Sequence, residues 1–509
     1  MCRQKLFHEK PQRIKRVQNT FWTLLNLDSK IYFGINPQIF FIPLLLKNNL
    51  SIMSFNNRMT PSELKATLAL ASIMSIRLLG LFMIFPVFTL YAQQLPDVTP
   101  ILIGLALGIY GLTQGILQIP FGMLSDRIGR KPIIYLGLLI FALGSVVAAT
   151  STSIVGIIIG RALQGCGAIA STMLALTADL TREEQRTKGM AIMGISIGTS
   201  FILALTIGPL LNGWIGVPGI FWLTAIFALM AIVILHFAVP QPANYHSHHG
   251  KFLVQLKGIL QDTQLLRLNI GILFLHLLLT SLFVVLPIAL LDNQLPANEH
   301  WQIYVSVLIA SVIAMVPVIW MAEKYRQIKP VFVGAVVILG LSQLGLSYFY
   351  HNLTSIILML FLFFTAVNIL ESNLPSLISK MAPANCKGTA MGVYSSSQFF
   401  GAFLGGLLGG WLHQHYGIGA VFSFCATLTV IWFIFAVTMQ KPLHLSNYSL
   451  KVGELNKYEA NELTQCLTRI PGVAEAMVIT EDKVAYLKVD RKILDVAALN
   501  KCSIDDDIL

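Results

Sequence analysis

The sequence predicts an all-α membrane protein, a bundle of twelve spanning helices in two six-helix halves, followed by a small α+β domain. Three observations predict it: the composition, a series of long apolar segments, and a charged turn between two of them. The chain of 509 residues is 55% hydrophobic and only 12% charged, with a mean hydropathy of +0.71. Soluble domains carry about 25% charged residues. The composition therefore excludes a soluble protein of this length.

Twelve apolar segments are long enough to cross a bilayer, whose hydrocarbon core requires roughly 20 residues of helix. They are predicted at residues 66–92, 100–123, 132–150, 153–179, 189–213, 219–239, 267–291, 300–322, 330–350, 353–379, 388–412 and 418–439. The charged turn, GMLSDRIGRKP at 122–132, separates the second segment from the third.

The positive charges orient these helices. All but two of the lysines and arginines between Met53 and Lys451 lie on one side of the predicted bundle, in the N-terminal segment, the even-to-odd loops and the C-terminal tail. Basic loops stay in the cytoplasm, so both termini are predicted to be cytoplasmic. The net charge of +11 is explained by this topology and is no indication of nucleic-acid binding.

The two halves read as one repeat. GPLLNGW at 208–214 returns as GGLLGGW at 405–411, and at the same spacing Asp126 corresponds to Glu323. Parallel repeats of this kind place the substrate path at their interface near the membrane midplane. The predicted halves are residues 59–239 and 267–440, and the linker at 240–266 is predicted to be cytoplasmic with a short interfacial helix.

The N-terminal residues 1–58 are predicted to be an extension outside the bundle. Their longest apolar run, at 39–46, is too short to span a membrane. We expect this segment to be disordered or to result from an upstream start codon, with Met53 or Met59 as the initiator. A genuine cytoplasmic extension is the alternative.

The C-terminal part changes to the pattern of a small soluble domain. Residues 441–455 contain a linker and a first strand, and residues 456–509 continue in the order helix, strand, strand, helix. This βαββα order resembles a ferredoxin-like cytoplasmic module. Related modules bind soft metals through C-x-x-C, but Cys466 and Cys502 stand alone. No metal or cofactor is therefore predicted, and a regulatory or oligomerising role is favoured.

The charged turn resembles the loop signature G-x-L-x-D-R-x-G-R-K of the major facilitator superfamily at every defined position. The matching residues are Gly122, Asp126, Arg127, Gly129, Arg130 and Lys131. Together with GRALQG at 160–165 and KGTAMGVYSSSQF at 387–399, the turn makes the chain similar to the YajR-type inner-membrane transporters of Gram-negative bacteria. The resemblance implies proton-driven antiport of drugs or drug-like metabolites.

In that family the charged turn is thought to latch the two halves on the cytoplasmic side and to release on switching. Asp126 lies near a helix terminus, where a carboxylate interacts with the dipole and with neighbouring cations. The alternative for Arg127, Arg130 and Lys131 is a topology signal alone. Topology rules do not require the acid, so the latch is favoured for Asp126.

Two arginines are predicted inside spans, where charges are costly and usually functional. Arg161, with Gln164 and Gly165, matches the family's R-x-x-Q-G signature, which is linked to proton coupling. The alternative is a structural cation bonded to backbone carbonyls between helices. Arg77 lies at similar depth and leaves the same two interpretations open.

Glu371 is the only acid well inside a predicted span. Such a carboxyl group suits a carrier that accepts and releases protons, and Asn368, one turn earlier, is positioned to hydrogen-bond it. The alternative is a carboxylate permanently paired with Arg77 or Arg161. His276 is a third proton-coupling candidate because histidine titrates near neutral pH, although a lone histidine is more often a core residue.

Gly208, Pro209 and Gly213 partly match the helix-five antiporter signature G-P-x-x-G-G, with Asn212 in place of one glycine. Small residues let helices approach closely, and proline weakens the backbone ladder. In exchangers the signature is associated with sealing the cytoplasmic route. The substitution weakens the step from transporter to antiporter.

These observations predict a proton-coupled secondary transporter of the inner membrane that exports drug-like or amphiphilic small molecules by alternating access. The expected partners are a small-molecule substrate, protons and the lipid bilayer. Proton-coupled nutrient uptake, with Arg77 or Arg161 holding an anionic substrate, is one alternative. A membrane sensor that uses the C-terminal domain is another. An enzyme is not expected, since the sequence has no nucleotide-binding loop and few intramembrane acids or histidines. Substrate identity and oligomeric state stay open.

Overall fold

A computed structural model of the chain describes residues 59–241, 252–383, 386–440, 446–453, 455–480, 484–490, 493–495 and 498–499. The predicted N-terminal extension lies outside the described residues. The described chain folds into a helical bundle followed by a small sheet with one helix against it.

Seven helices form the N-terminal half. They are α1 (Pro61–Phe82), α2 (Phe85–Ala92), α3 (Pro100–Ile128), α4 (Arg130–Thr150), α5 (Ile154–Cys166), α6 (Ala170–Asp179) and α7 (Glu183–Ala238). The first and fourth predicted spans are each interrupted, because α1 and α2 are separated at residues 83–84 and α5 and α6 at residues 167–169. The long α7 turns at Gly216, whose φ of 66° is accessible mainly to glycine, so α7 supplies two spans.

The C-terminal half follows a short helix in the linker, α8 (Phe252–Gln261). Its helices are α9 (Thr263–Asp292), α10 (His300–Lys324), α11 (Ile328–Phe349), α12 (Leu353–Met381), α13 (Lys387–Tyr416) and α14 (Ile418–Val437). Ten segments of the described chain are long and apolar enough to cross a membrane. The bend in α7 and the glycine-rich α13, which lies outside those ten, complete the predicted number of twelve.

Glycines bring the two halves together between α3 and α13. A Cβ atom added at Gly108 of α3 would stand 2.7 Å from the carbonyl oxygen of Phe403 in α13. Another face of α13 contacts α9, where a Cβ at Gly409 would stand 3.1 Å from Cα of Ser281. Helices in lipid associate through such close approaches of small residues. The glycines of α13 therefore allow this helix to pack closely both against α9 of its own half and against α3 of the N-terminal half.

The close contacts between α3 and α13 begin at one end of the bundle and continue to its middle, where a Cβ atom at Gly115 would stand 3.3 Å from the carbonyl oxygen of Ser396. We call this end the Thr99 end after the residue that caps α3. There Gln414 Oε1 accepts a hydrogen bond from the backbone amide of Ile101 (3.4 Å), and Thr89 Oγ1 donates to the carbonyl of Phe283 (3.1 Å). We call the opposite end, where α3 turns into α4, the Gly129 end.

The C-terminal residues form a three-stranded antiparallel sheet with strand order β1-β3-β2. Its elements are β1 (Ser446–Lys451), α15 (Lys457–Thr468), β2 (Val473–Ile479) and β3 (Val484–Val489). Leu467 of α15 packs with Leu487 and Val489 of β3 in a separate apolar core. Half of the predicted final helix, ILDVAALNKC, lies outside the described residues, so the ferredoxin-like identity of this domain stays a prediction.

Candidate functional site

Three polar side chains from three helices of the C-terminal half meet inside the bundle. Gln398 of α13 donates through Nε2 to Oε1 of Glu371 in α12 (3.4 Å), and the same Nε2 lies 2.8 Å from Nε2 of His276 in α9. A primary amide carries two hydrogens. The Gln398 amide therefore bridges the Glu371 carboxylate and the His276 ring.

The second carboxylate oxygen of Glu371 has no such partner. Oε2 is buried and makes no hydrogen bond with any described residue. The Tyr394 hydroxyl, one turn before Gln398 on α13, is also buried without a described hydrogen-bond partner, and it interacts electrostatically with Glu371. Glu371 thus keeps a free acceptor inside the C-terminal half, where it can bind a proton.

The structure corrects the expected role of Asn368. Its side-chain amide donates to Oγ of Ser311 in α10 at 2.9 Å, and the hydrogen bond to Glu371 is made by Gln398 instead. The i, i+3 spacing predicted that Asn368 lies near Glu371, but the acceptor that its amide uses is on the neighbouring helix. The sequence signal for Gln398 was its position as a polar residue within a predicted span, in the segment KGTAMGVYSSSQF.

Neither buried arginine pairs with Glu371. The ion pairs found among the described residues join Arg130, Arg182 and Arg326 to acids, and none includes Arg77 or Arg161. Both arginines are 1% exposed and both lie in the N-terminal half. The ion pair between Glu371 and an arginine, which was the alternative interpretation, is therefore absent from this conformation of the described chain.

Arg161 is held by its own helix and by backbone carbonyls. Its Nη1 donates to Gln164 Oε1 (2.9 Å), and Nε donates to the carbonyl oxygen of Ala106 on α3 (3.3 Å). Gln164 Nε2 in turn donates to Oγ of Ser145 (2.8 Å). At Gly165 a Cβ atom would stand 3.0 Å from the carbonyl carbon of Tyr110. The residues of the R-x-x-Q-G signature thus join α3, α4 and α5.

Arg77 projects from α1 toward the interruption between α5 and α6. Its Nη2 donates to Tyr110 Oη (3.0 Å), Gln114 Oε1 (2.9 Å) and the carbonyl oxygen of Gly167 (2.9 Å). The guanidinium carbon stands 5.3 Å from the centre of the Phe141 ring, within the range of a cation–π contact.

The charged turn is shorter than the sequence indicated. The helices α3 and α4 are separated only by Gly129, whose φ is 107° and ψ is 149°. Asp126 lies in the last turn of α3, is exposed, and forms an ion pair with Arg130. Arg130 also donates to Asp179, the last residue of α6 (3.1 Å), and to Oγ of Ser125 (2.7 Å). These contacts all lie within the N-terminal half.

The other residues of the turn have smaller roles. Lys131 donates to the carbonyl oxygen of Val239 (2.7 Å), and Arg127 is exposed. The carbonyl oxygen of Gly122 accepts from Oγ of Ser125 (2.7 Å). In the C-terminal repeat, Arg326 instead pairs with Asp490 of the small domain at 3.6 Å.

An ion pair beside this turn was not predicted. Glu63 forms a capping box with Thr60, and its carboxylate also accepts from the backbone amide (2.9 Å) and Nε (2.9 Å) of Arg182. Arg182 follows Asp179, so the loop between α6 and α7 is bound to α1 and to the charged turn. The only sequence signal for it was the capping pattern TPSE.

The three residues of the antiporter-like signature lie on α7 and differ in how closely they are packed. A Cβ atom at Gly208 would stand 3.2 Å from the carbonyl carbon of Met83, so α7 packs directly on the interruption between α1 and α2. At Gly213 the added atom would meet nothing within 4 Å. Pro209 lies inside α7. Only Gly208 is required by close packing.

Comparisons with known proteins agree with this arrangement. The family described as Major Facilitator Superfamily matches residues 70–295 and 268–454. The inner membrane transport protein YajR of Escherichia coli (strain K12) is 44% identical over 439 residues, 86% of this chain and 96% of that protein. An uncharacterized transporter of Buchnera aphidicola subsp. Schizaphis graminum (strain Sg) is 36% identical over 389 residues, 76% of this chain and 100% of that protein.

Solved structures share the fold at much lower sequence identity. A bacterial homologue of the human lysosomal transporter Spinster, in an inward-facing and occupied conformation, aligns with a TM-score of 0.64 at 13% identity. The alignment covers 75% of this chain and 98% of that one. At this identity the likeness shows the fold alone.

Proposed function

Since this chain belongs to the major facilitator superfamily, we propose that it is a proton-coupled antiporter that exports drug-like or amphiphilic small molecules. It is a membrane transporter, a multi-pass protein of the inner membrane. Proton coupling, the direction of transport and the substrate class are the parts that we propose.

The observation that carries proton coupling is the setting of Glu371. Its carboxylate receives one hydrogen bond from Gln398, keeps a buried unpartnered oxygen, and has no cationic partner in the described chain. A carboxyl group that is neutralised by a proton instead of by a salt bridge can change charge when its surroundings change. We assign Glu371 as the proton carrier and Gln398 and His276 as its hydrogen-bonded neighbours.

Alternating access is supported by where the halves are packed. Close contacts at the Thr99 end include the α3–α13 approach at Gly108. The basic loops lie at the Gly129 end, so we propose that this end and both termini face the cytoplasm. This conformation is then sealed toward the outside. The opposite conformation requires α3 and α13 to separate at the Thr99 end.

We propose that the charged turn acts in that transition. Here Asp126 is exposed and, in the part of the chain that the structure describes, its ion pair is with Arg130 of its own half, so we assign this state to the released latch. On closure of the Gly129 end, Asp126 would move from Arg130 toward the other half. In this proposal Arg161 supports the helices of the N-terminal half, and Gly208 allows the close contact of α7 with the interruption between α1 and α2.

The test is proton movement in reconstituted vesicles. Purified protein is placed under an imposed pH gradient and exposed to lipophilic cations and organic anions, and Glu371→Gln is compared with wild type. Compound-evoked proton movement is expected in wild type and is expected to be lost in Glu371→Gln. The control is Glu299→Gln, because Glu299 lies outside the spanning core and its side chain caps no helix amide.

Three other outcomes would contradict parts of the proposal. Proton movement that persists in folded Glu371→Gln would reduce this carboxyl group to a structural role. Movement evoked only by nutrients, with a growth defect on a carbon source after gene deletion, would indicate uptake. No evoked movement in wild type, with no sensitivity to toxic compounds after deletion, would favour a sensor.

A further inference from the structure

The fourth spanning segment is interrupted near the middle of its length. The helix α5 ends at Cys166 and α6 begins at Ala170, inside the apolar segment Ile154–Asp179. The residue before α6, Ile169, provides no side-chain cap. The first amides of a helix have no acceptor within the helix and form the positive end of its dipole. In discontinuous membrane helices such ends face anionic groups.

Arg77 lies at this interruption with part of its guanidinium group unused. Its Nη2 donates to the carbonyl oxygen of Gly167, which immediately follows α5. Nε and Nη1 are buried and have no hydrogen-bond partner in the described chain. The side chain is 1% exposed. A buried, fully charged group with unsatisfied donors is costly, so the site lacks an acceptor.

Two further side chains at the interruption also lack partners, and both can supply donors. The amide oxygen of Gln114 is occupied by Arg77, but its Nε2 is buried without a partner among the described residues. The same holds for Oγ1 of Thr172, in the first turn of α6. The unsatisfied atoms of Arg77, Gln114 and Thr172 are therefore all able to donate, which is the chemistry that an anion requires. Gln118, whose backbone carbonyl accepts from Ser171 of α6, adds a buried amide whose Nε2 and Oε1 both lack a partner among the described residues.

Arg161 provides the internal comparison. All three of its guanidinium nitrogens have acceptors, since Nη2 also lies 3.5 Å from the carbonyl oxygen of Leu107. Its charge is solvated by the protein itself. The two arginines are similarly buried, but of the two only Arg77 has guanidinium donors that are available for a ligand.

We propose that Arg77 and the N-terminus of α6 form the binding site for the acidic group of the transported molecule, which is accordingly a small organic carboxylate. This inference rests on the proposed transport function and narrows its substrate class. Nε–H and Nη1–H of Arg77 point in different directions, because Nη1 is the nitrogen cis to Cδ, so a carboxylate oxygen accepts a charge-assisted hydrogen bond from one of them. The amides that begin α6 and the Thr172 hydroxyl complete the set of donors. The carboxylate neutralises the charge of Arg77 within the membrane.

The test is equilibrium binding to the purified full-length protein without a pH gradient. The probes are benzoate and octanoate, compared with the amines benzylamine and octylamine and with chloride. At least one carboxylate is expected to bind and to stabilise the protein against heat, while the amines do not. In Arg77→Gln the Kd is expected to rise at least tenfold. Arg77→Lys is expected to recover part of the loss, and the exposed-site control Lys65→Gln to bind like wild type.

A second variant keeps the test decisive if Arg77→Gln does not fold. Thr172→Val preserves the shape and the charge of the site and removes one donor, so the Kd is expected to rise about threefold to tenfold. The inference is overturned if neither carboxylate binds wild type, if folded Arg77→Gln and Thr172→Val bind as wild type does, or if chloride displaces the carboxylate with equal affinity.

The binding experiment and the proton-movement experiment can fail independently of each other. Binding of carboxylates without any evoked proton movement would support the site and refute proton coupling. Proton movement evoked by lipophilic cations, without carboxylate binding, would support coupling and refute the site.

Discussion

Substitution of Gly108 by alanine is expected to open the seal at the Thr99 end. The added Cβ would stand 2.7 Å from the carbonyl oxygen and 3.0 Å from Cα of Phe403. Both are backbone atoms of α13, so no side-chain rotation can make room. The helices must move apart, and this is the movement that the opposite conformation requires.

The size of the effect follows from the steric cost alone. Alanine is favoured over glycine in a helix by about 1 kcal/mol, but α3 is helical in both conformations, so this gain cancels between them. Inserting a methyl group into a packed contact costs about 1–3 kcal/mol. Because about 1.4 kcal/mol corresponds to a factor of ten, the separated conformation gains roughly fivefold to a hundredfold in relative population.

The assay is the reactivity of a single cysteine at Ile103, which is 3% exposed and lines a small cavity between the halves with Val284 and Thr99. In a background without native cysteines, labelling by a membrane-impermeant maleimide is expected to accelerate in Gly108→Ala. The matched control is Gly198→Ala in α7, where the added atom meets nothing within 4 Å. Equal labelling rates in the two folded variants would refute the reasoning.

Two further predictions concern hydrogen bonds. Glu63→Gln removes the charge that binds Arg182 and the start of α1. The free energy of unfolding in detergent is therefore expected to fall by about 1–2 kcal/mol, which is measured as a lower melting temperature. The control is the exposed Glu323→Gln, whose melting temperature is expected to stay unchanged. Gln398→Ala is expected to lower compound-evoked proton movement at least tenfold. Asn368→Ala loses the hydrogen bond to Ser311 and is expected to retain most of the proton movement. Similar losses in both variants would contradict the assigned role of Gln398.

The arrangement of the bundle was largely predictable because its causes are local. An apolar segment of about 20 residues must form a helix in lipid, whatever the rest of the chain does. The basic loops then order these helices across the membrane. The twelve spans follow from these rules, and the family indicated by the charged turn is confirmed by the comparisons. The interruptions at residues 83–84 and 167–169 were missed, because hydropathy is insensitive to a few residues of non-helical backbone.

The candidate site was predictable only in part. Its charged members, Glu371, Arg77 and Arg161, were evident because an ionisable residue within an apolar segment is rare. Their partners were not, since Gln398 joins Glu371 through a contact between helices that are distant in sequence. Spacing along one helix suggested Asn368, which the fold directs to Ser311.

The sequence by itself determined the number, the predicted orientation and the repeat of the spanning helices, because these depend on composition and charge within each segment. Only the tertiary structure decided which charges are satisfied. Arg77 and Arg161 are both single cations inside apolar segments, so hydropathy does not distinguish them. The neighbouring helices supply acceptors for all three guanidinium nitrogens of Arg161, whereas Nε and Nη1 of Arg77 have no partner in the described chain. The free energy of a buried charge depends on the few atoms around it, and those atoms come from other helices.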